Sequence, residues 1–246
     1  MTIDTIKNNN KNLRKVKKNV LIDKNDLRLL FDVQETLGSL KSSLYVIEEI
    51  VAKGGKILVV GTKQEYQPLV FDFGRKTSHS FFNGKWVNGL LTNFTTVSDR
   101  VINYGAKIDN LGLADWERNK RVREFLDRYQ GIAELKTLPD LIIFLNAEEL
   151  EGPIEEASSV NVLTMGLLNT GGDYNSLNYA VPANDNSVKT IGLFLMLAKM
   201  AIKKGSIRHE LAMEQNKKVN SQQKRLKHSG NKKNSRNHFK KNKKNK

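Results

Sequence analysis

The residues of this chain that could do chemistry stand where strands are predicted to end. The first apolar run, Lys56-Ile57-Leu58-Val59-Val60, is followed at once by Gly61-Thr62-Lys63. A lysine at the start of a helix can meet a phosphate, and the phosphate of a nucleotide or of an RNA satisfies the same chemistry. The further glycines of a dinucleotide fingerprint do not follow, and the GxxxxGKS/T phosphate loop is absent. Lys63 is therefore a candidate anion contact to which no cofactor is assigned.

Side chains for catalysis or metal binding are sparse. The chain has no cysteine, and of its four histidines only His79 lies away from the basic C-terminal end. Neither a thiolate site nor a paired-histidine metal site is predicted. An acidic run is interpreted as a solvated face rather than an acid–base pair; it consists of Glu148, Glu149, Glu151, Glu155 and Glu156. No Ser or Thr stands in a nucleophile-elbow context, so the sequence predicts a protein that is not an enzyme and has no cofactor or metal.

Charge is concentrated at the two ends of the chain. Residues 203–246 have a net charge of +14 and residues 1–20 one of +5, whereas residues 21–202 have −4. Like-charge runs of this kind usually serve as interaction arms, most often for nucleic acid. A tail that only keeps the protein soluble stays an alternative. An arm for a membrane surface is disfavoured because the tail has almost no large apolar residues, and no apolar run approaches the roughly 20 residues that span a bilayer.

The first helix is predicted after Leu29-Leu30-Phe31. Asp32 is a suitable N-cap, and Glu35 completes a capping-box pattern. Apolar residues then recur at spacings of three and four, which places them on one core-facing stripe. The stripe consists of Leu37, Leu40, Leu44, Ile47 and Val51. Gly54-Gly55 ends the helix because glycine tolerates positive φ.

Strands and helices alternate through the rest of the body. Strands are predicted at 56–60, 78–82, 141–145 and 160–168, with a brief extended piece at 179–182. Helices are predicted at about 63–73, from 92 towards 104, at 152–159 and at 188–202, the last apolar enough to be largely buried. Thr62, Thr92 and Asp185 are the expected N-caps, and Pro68 is expected to disturb the first turns of the helix that contains it.

This alternation predicts an α/β fold with a doubly wound, mostly parallel sheet and helices on both faces. A basic mobile segment covers residues 1–20, and the α/β domain covers 21–202. A short projecting helical insertion is expected at about 98–136, including an exposed helix from Asp115 to Leu126. A lysine-rich, disordered C-terminal extension covers 203–246.

Four segments carry signatures that occur together in one family. They are Gly54–Lys63, the tryptophan-to-"LTNF" segment Trp86–Phe94, the "LPD" strand Leu138–Ile143, and Val181–Asp185, which is similar to an "IPGND" motif. In this order they resemble the universal small-subunit ribosomal protein two family in its bacterial and organellar branch, over roughly residues 29–203. The resemblance implies a structural component of the small ribosomal subunit that acts in translation and binds folded rRNA and neighbouring ribosomal proteins.

The chain also departs from that family. An N-terminal "HFGH"-type motif is missing, the helical insertion is shortened, and the usual "DTNCDP" turn reads Asn169–Tyr174. Ala183 stands where the family has glycine. Such divergence, together with the basic extension, is more similar to a mitochondrial member than to a plastid or bacterial one. The sequence therefore predicts a mitochondrial matrix location, with plastid and bacterial cytoplasm as less favoured alternatives.

The resemblance and the charges predict which side chains meet RNA, mainly at phosphates and 2′-hydroxyls. At the strand ends we expect phosphate contacts from Lys63, Arg75, Lys76 and Lys85, with Asn88 and Asn93 as nearby donors. Trp86 could stack on a base, although packing against its own domain is the favoured interpretation. A second patch on the polar helix comprises Arg118, Lys120, Arg121 and Arg123. The tail contributes Lys217, Lys218, Lys224, Arg225, Lys227, Lys232, Lys233, Arg236, Lys240 and Lys241.

Two functions of other classes stay open at this point. A nucleotide-binding α/β enzyme with a basic tail would have a ligand pocket at the strand ends. A free RNA-binding module would bind RNA without co-sedimenting with small ribosomal subunits. The predicted partners, small-subunit rRNA and neighbouring proteins, involve neither a membrane nor a small-molecule substrate.

Overall fold

A computed structural model of the chain describes residues 20–22, 29–109, 120, 124, 129–133, 135–169 and 173–242. The strands are β1 (Val20–Ile22), β2 (Leu29–Phe31), β3 (Ile57–Val60), β4 (Ser80–Phe82), β5 (Leu141–Phe144), β6 (Leu163–Leu168) and β7 (Tyr179–Pro182). The helices are α1 (Val33–Ala52), α2 (Gln67–Thr77), α3 (Phe94–Asp109), α4 (Glu151–Ser159) and α5 (Val188–Asn242). Single 3-10 turns lie at Gln64–Tyr66, Gln130–Ile132, Ala147–Glu149 and Tyr174–Ser176.

Five strands form one parallel sheet in the order β4-β3-β5-β6-β7, and β1 and β2 form a separate antiparallel pair. Strands β3 and β5 are buried along their whole length, as expected for strands covered on both faces. Ile57 and Val59 pack in an apolar layer with α1, α2 and α5, whereas Leu58 and Val60 pack in a second layer with α3 and α4. The doubly wound α/β fold is confirmed, and the brief piece at 179–182 is its fifth strand.

Helix α1 begins and ends as predicted. The Asp32 carboxylate accepts the backbone N–H groups of Gln34, at 2.8 Å, and of Glu35, and Gly54 ends the helix with φ +79°. The core-facing stripe is wrong at its first position, because the Leu37 side chain is 47% exposed. The first fully buried residue of α1 is Ser43, and Leu40 is partly buried against the same core, so only the first two turns of the helix extend past the packed part.

The turn after β3 differs from the predicted helix start. Thr62 does not cap a helix: its hydroxyl accepts a hydrogen bond from the Asn146 side chain at 3.0 Å. A 3-10 turn comes first, and α2 starts only at Gln67, with Pro68 in its first turn. This position suits proline because the first backbone N–H groups of a helix have no intrahelical partner.

The other two predicted caps are also wrong. Thr92 directs both its backbone N–H and its hydroxyl to Glu156 of α4, and α3 begins two residues later. Asp185 is buried before α5, whereas the Ser187 hydroxyl accepts the backbone N–H of Thr190 at 3.4 Å. Thr92 therefore binds a distant partner, Glu156, instead of the start of α3. Asp185 is buried three residues before α5 begins.

Helix α5 does not end at Ile202 but continues to Asn242. Its next turns pack on α1: a Cβ on Gly205 would lie 2.6 Å from the Glu48 carbonyl oxygen, and Arg208 forms an ion pair with Glu48 at 2.9 Å. The helix end predicted at Ile202 is therefore wrong. The helix can continue because no proline follows Pro182 and lysine, arginine and glutamine have good helix propensity.

Helix α5 is also less buried than its composition predicted. Phe194, Leu195 and Ala198 are buried, but Leu193 and Met200 are 54% and 55% exposed. The helix therefore packs on the sheet with one face and leaves an apolar face without cover from the described residues. No helix in the described part of the chain combines the length and the apolar character needed to cross a bilayer.

Most of the predicted insertion lies outside the described residues. Helix α3 continues through residue 98 to Asp109, and a 3-10 turn at Gln130–Ile132 closes the segment. Within the predicted helix Asp115–Leu126 only positions 120 and 124 are described, and both side chains are exposed. Of the N-terminal segment 1–20, only Val20 is described.

A close backbone approach covers the edge strand β4. A Cβ on Gly131 would overlap the Phe81 carbonyl oxygen, so Gly131→Ala forces the two backbones apart. We expect this change to lower the free energy of unfolding by about 2–3 kcal/mol. Gly152→Ala is the matched control, because nothing lies within 4 Å of the place that an added methyl group would take there; we expect it to leave stability equal or up to about 1 kcal/mol higher. Equal stabilities in urea denaturation would contradict the close approach.

His79 links the starts of two strands. Its Nδ1 atom accepts the backbone N–H of Ile57 at 3.4 Å. Burial, and next the Lys56 ammonium, lower the pKa of His79 to about 4 from 6.5. Because only the unfolded chain binds this proton between those values, folding stability should fall as pH drops from 6.5 towards 4.

We expect protonation of His79 in the unfolded chain to lower the free energy of unfolding by about 2 kcal/mol over this pH range. This value is discounted for the partial exposure of the ring. The measurement compares the chain with His79→Gln by chemical denaturation at pH 7, 6 and 5. The variant should lose less stability over this range. Identical pH dependence in the two proteins would show that His79 does not carry the effect.

Candidate nucleic-acid interface

The segment between β4 and α3, residues 83–93, lies at the carboxyl edge of the sheet. Within this segment Leu90 and Leu91 are buried. The Trp86 ring packs edge-to-face on Phe82, with the ring centroids 5.4 Å apart. Gly89 adopts φ +90°, a conformation that costs glycine little and other residues considerably more. We call residues 83–93 the tryptophan loop. Its apolar residues attach it to the layer that contains α3 and α4.

Glu156 of α4 binds the tryptophan loop through four hydrogen bonds. One carboxylate oxygen, Oε1, accepts the backbone N–H groups of Leu91 at 2.8 Å and Thr92 at 3.0 Å, and the Thr92 hydroxyl at 3.2 Å. The other oxygen, Oε2, accepts the indole N–H of Trp86 at 3.1 Å. One side chain therefore fixes both the tryptophan and the turn that follows it.

The pKa of Glu156 reflects these contacts. Burial alone would raise it, but the backbone N–H groups of Thr92 and Leu91, followed by the Trp86 and Thr92 side chains, lower it below its usual value. The carboxylate is thus ionised at neutral pH, and hydrogen bonds to an ionised acceptor are stronger than those to a neutral one. The interpretation of Glu156 as part of a solvated acidic face is wrong, and sequence reasoning missed its role.

The fixed loop presents a polar outer surface. Lys85, Asn88 and Asn93 are exposed, and they are three of the residues predicted to contact RNA. Trp86 is half-buried and directs its N–H to Glu156, in agreement with the favoured packing interpretation. A base contact by its remaining exposed surface stays a prediction.

Lys63 lies at the same edge but already has protein partners. Its ammonium is 2.9 Å from Glu149 and 2.7 Å from the Asn186 side-chain oxygen, and the side chain is 18% exposed. Burial would lower the pKa of Lys63, but Glu149 and the nearby Tyr66 raise it above its usual value. A contact between Lys63 and a phosphate therefore stays a prediction that requires exchange of these partners.

Arg75 and Lys76 lie in the last turn of α2, just before β4 begins. That position is the amino edge of the sheet, opposite Lys63 and Lys85, so the four predicted strand-end cations do not form one patch. The Arg75 guanidinium stacks over the Phe71 ring at 5.7 Å, and Lys76 forms an ion pair with Asp72 at 2.8 Å.

The second predicted patch and the tail are described only in part. Lys120 is exposed, 3.8 Å from Glu124, and Lys217 is exposed on α5. Three members of the second patch lie outside the described residues: Arg118, Arg121 and Arg123. The other tail positions are on the helical backbone of α5, with side chains outside the described set: Lys218, Lys224, Arg225, Lys227, Lys232, Lys233, Arg236, Lys240 and Lys241.

The crevice where nucleotides bind in related strand orders is filled by the chain itself. In such sheets that crevice lies beyond the carboxyl ends of β3 and β5, where the chain direction switches. Asn146 is fully buried there and donates to the Thr62 hydroxyl. Tyr66 is also fully buried, and its hydroxyl donates to the Asp185 backbone carbonyl. Among the described residues no three His, Asp or Glu side chains gather as a metal site would need.

Comparison with known proteins agrees with this fold. The family model for ribosomal protein S2 matches residues 6–205. Small ribosomal subunit protein uS2 of Brucella melitensis biotype 1 is 30% identical over 200 residues, which cover 78% of this chain and 77% of the relative. The uS2 proteins of Brucella ovis and Brucella suis are each 29% identical over 200 residues, again 78% of this chain and 78% and 77% of the relatives.

These matches show that the chain, a doubly wound α/β domain with the tryptophan-to-"LTNF" segment at its carboxyl edge, is a ribosomal protein. The chain belongs to the ribosomal protein S2 family, as the four motifs predicted. It is a structural constituent of the small ribosomal subunit and acts in translation.

Proposed function

We propose that this chain attaches to small-subunit rRNA through two surfaces, the tryptophan loop and the basic end of α5, and performs no catalysis there. The observation that carries the proposal is the clamp on the loop: Glu156 holds it from beneath while Lys85, Asn88 and Asn93 face outward. A rigid loop with one cation and two amides suits a folded RNA, whose phosphates and 2′-hydroxyls are read by shape.

The C-terminal part of α5 and the residues that follow it in the sequence add many cations. From residue 217 to the end the chain has thirteen Lys and Arg and no Asp or Glu. A polyanion is the partner that matches this charge, because each neutralised phosphate releases counterions. Contacts with neighbouring small-subunit proteins are proposed for the remaining exposed surface.

The loop surface is tested by the salt dependence of rRNA binding. Lys85→Gln should reduce the log–log slope by about 1, the contribution of one phosphate contact. Lys41→Gln is the matched control, since Lys41 is exposed on α1 in the opposite layer. Equal slopes for both variants would reject a phosphate contact at Lys85. Failure of the unaltered chain to co-sediment with small subunits would instead favour a free RNA-binding module.

We assign the chain to a mitochondrial ribosome on its divergence from the family motifs and its basic extension. The relatives described above are bacterial, and a ribosome of the bacterial cytoplasm fits them equally well. Fractionation of the source cells decides between these locations. Recovery of the chain with cytoplasmic small subunits, and not with mitochondrial ones, would refute the mitochondrial assignment.

A further inference from the structure

Helix α5 presents a row of apolar side chains on the face turned away from the sheet. Five side chains recur there at spacings of three, four, seven and four, so they share one side of the helix. They are Leu193 (54% exposed), Met196 (52%), Met200 (55%), Ile207 (49%) and Leu211 (54%). We call this row the outer stripe of α5. Its opposite side is the one that packs on the sheet.

The outer stripe is too regular to be a scatter of surface residues. Single exposed apolar residues are common in soluble proteins, but contiguous ones usually mark an interaction site. At a rise of 1.5 Å per residue, the distance from Leu193 to Leu211 is about 27 Å, or five helical turns. A straight stripe of that length matches the apolar face of another helix better than it matches a loop.

The charges beside the stripe indicate the chemistry of its partner. Lys203 and Lys204 are exposed midway along it, between Met200 and Ile207, whereas Glu210 and Glu214 are exposed beside its C-terminal end. Lys189 is exposed one turn before the stripe begins. A partner helix therefore gains contacts to lysine if it carries Asp or Glu at its centre.

We propose that the outer stripe of α5 receives an amphipathic helix of a neighbouring small-subunit protein, apolar on one face and acidic near its middle. This inference rests on the proposed place of the chain in the small subunit. Helices recognise one another in this way through apolar residues at every third or fourth position. Methionine at positions 196 and 200 suits such a surface, because its unbranched side chain adapts to the partner.

The same features disfavour the two other occupants. Phosphates and sugars gain nothing from a row of leucine, isoleucine and methionine, so RNA does not match the stripe. A second copy of this chain, paired through the same stripe about a two-fold axis, would bring Lys203 and Lys204 of one copy against those of the other. Like charges placed opposite each other at an interface oppose binding.

A photo-cross-linker identifies the occupant directly. p-Benzoylphenylalanine is placed at Leu193, Met200 or Ile207 in the full-length chain, and purified small subunits that contain it are irradiated. We expect all three positions to cross-link to one acidic helical segment of one protein. Ile102 is the matched control, because it is equally exposed, at 54%, but lies on α3 across the sheet; it should not cross-link to that segment.

Charge substitution supplies an independent readout. Met200→Glu should lower the amount of the cross-linked neighbour in purified subunits at least about tenfold, while the chain itself remains at its normal level. Met200→Lys should lower it less, because the added lysine attracts an acidic partner. Since the position is exposed, both variants should fold, and the circular dichroism spectrum of each one checks this.

The outcomes separate this inference from the proposal on which it rests. Cross-links to rRNA, to a second copy or to nothing, in subunits that contain the chain, would overturn the helix-docking inference alone. Absence of the chain from small subunits would overturn the proposed function and the docking inference together.

Discussion

Glu156→Ala is expected to lower the free energy of unfolding by about 3 kcal/mol and to weaken rRNA binding in the same step. The substitution removes the acceptor of four hydrogen bonds and leaves the N–H of Leu91 unpaired beneath the loop. A buried donor without a partner costs about 1–3 kcal/mol, and hydrogen bonds to a charged group are at the upper end. Because the loop presents Lys85 and Asn88, its loosening should reduce RNA affinity beyond the effect on stability.

Glu155→Ala is the matched control, since Glu155 is exposed one residue earlier on the same helix. Urea denaturation measures stability, and the fluorescence of Trp86, in a Trp116→Phe background, reports on the loop. Glu156→Gln should show a smaller loss because it keeps one oxygen acceptor. If Glu156→Ala and Glu155→Ala had the same stability and fluorescence, Glu156 would not be the anchor of the loop.

Truncation after Asn216 is expected to remove most of the salt sensitivity of rRNA binding. It deletes thirteen basic residues, and each phosphate contact contributes about 0.7–0.9 to the log–log slope. If only five of them reach phosphates, the slope falls by about 4. Between 50 mM and 200 mM salt, the intact chain would then lose about 250-fold more affinity than the truncated one.

The position of the cut follows from the structure. Truncation at Lys203 would also remove Arg208, which pairs with Glu48 and Glu49, and Gly205, which packs on α1. A loss of RNA binding would then not distinguish missing cations from unfolding of the α/β domain. A full-length variant with all thirteen residues changed to Gln keeps the length and should match the truncation. A slope that is unchanged in both would reject the basic end of α5 as an RNA contact.

The sequence predicted the sheet because its central strands β3 and β5 are fully buried and therefore continuously apolar. Residues 56–60 and 141–145 carry that signal without help from distant parts of the chain. The N-cap at Asp32 was predictable because it too depends only on nearby residues: its partners are two and three residues away. The "LTNF" segment predicted the family, and the match to the family model confirmed this prediction.

Features that depend on distant partners were not predictable in this way. Thr92 has the residue type of an N-cap, but its partner Glu156 is 64 residues away. A helical-wheel argument could have separated Glu156 from its neighbours, because Pro153 and Ala157 are buried on that side of α4 whereas Glu155 faces away. The exposure of Leu193 and Met200 was missed because an apolar helix was assumed to be covered on all sides.

The contacts that fill the crevice at the carboxyl edge bear on how the domain responds to metabolites. Lys63, through Glu149 and Asn186, and Tyr66, through Asp185, hold the turns after β3 and β5 against the start of α5. A mononucleotide would have to displace these side chains before it could enter. ATP, GTP or NAD at millimolar concentration should therefore leave the melting temperature unchanged, whereas any tight ligand would raise it. The carboxyl edge, where other folds with this strand order bind nucleotides, would then have no ligand of that class in this protein.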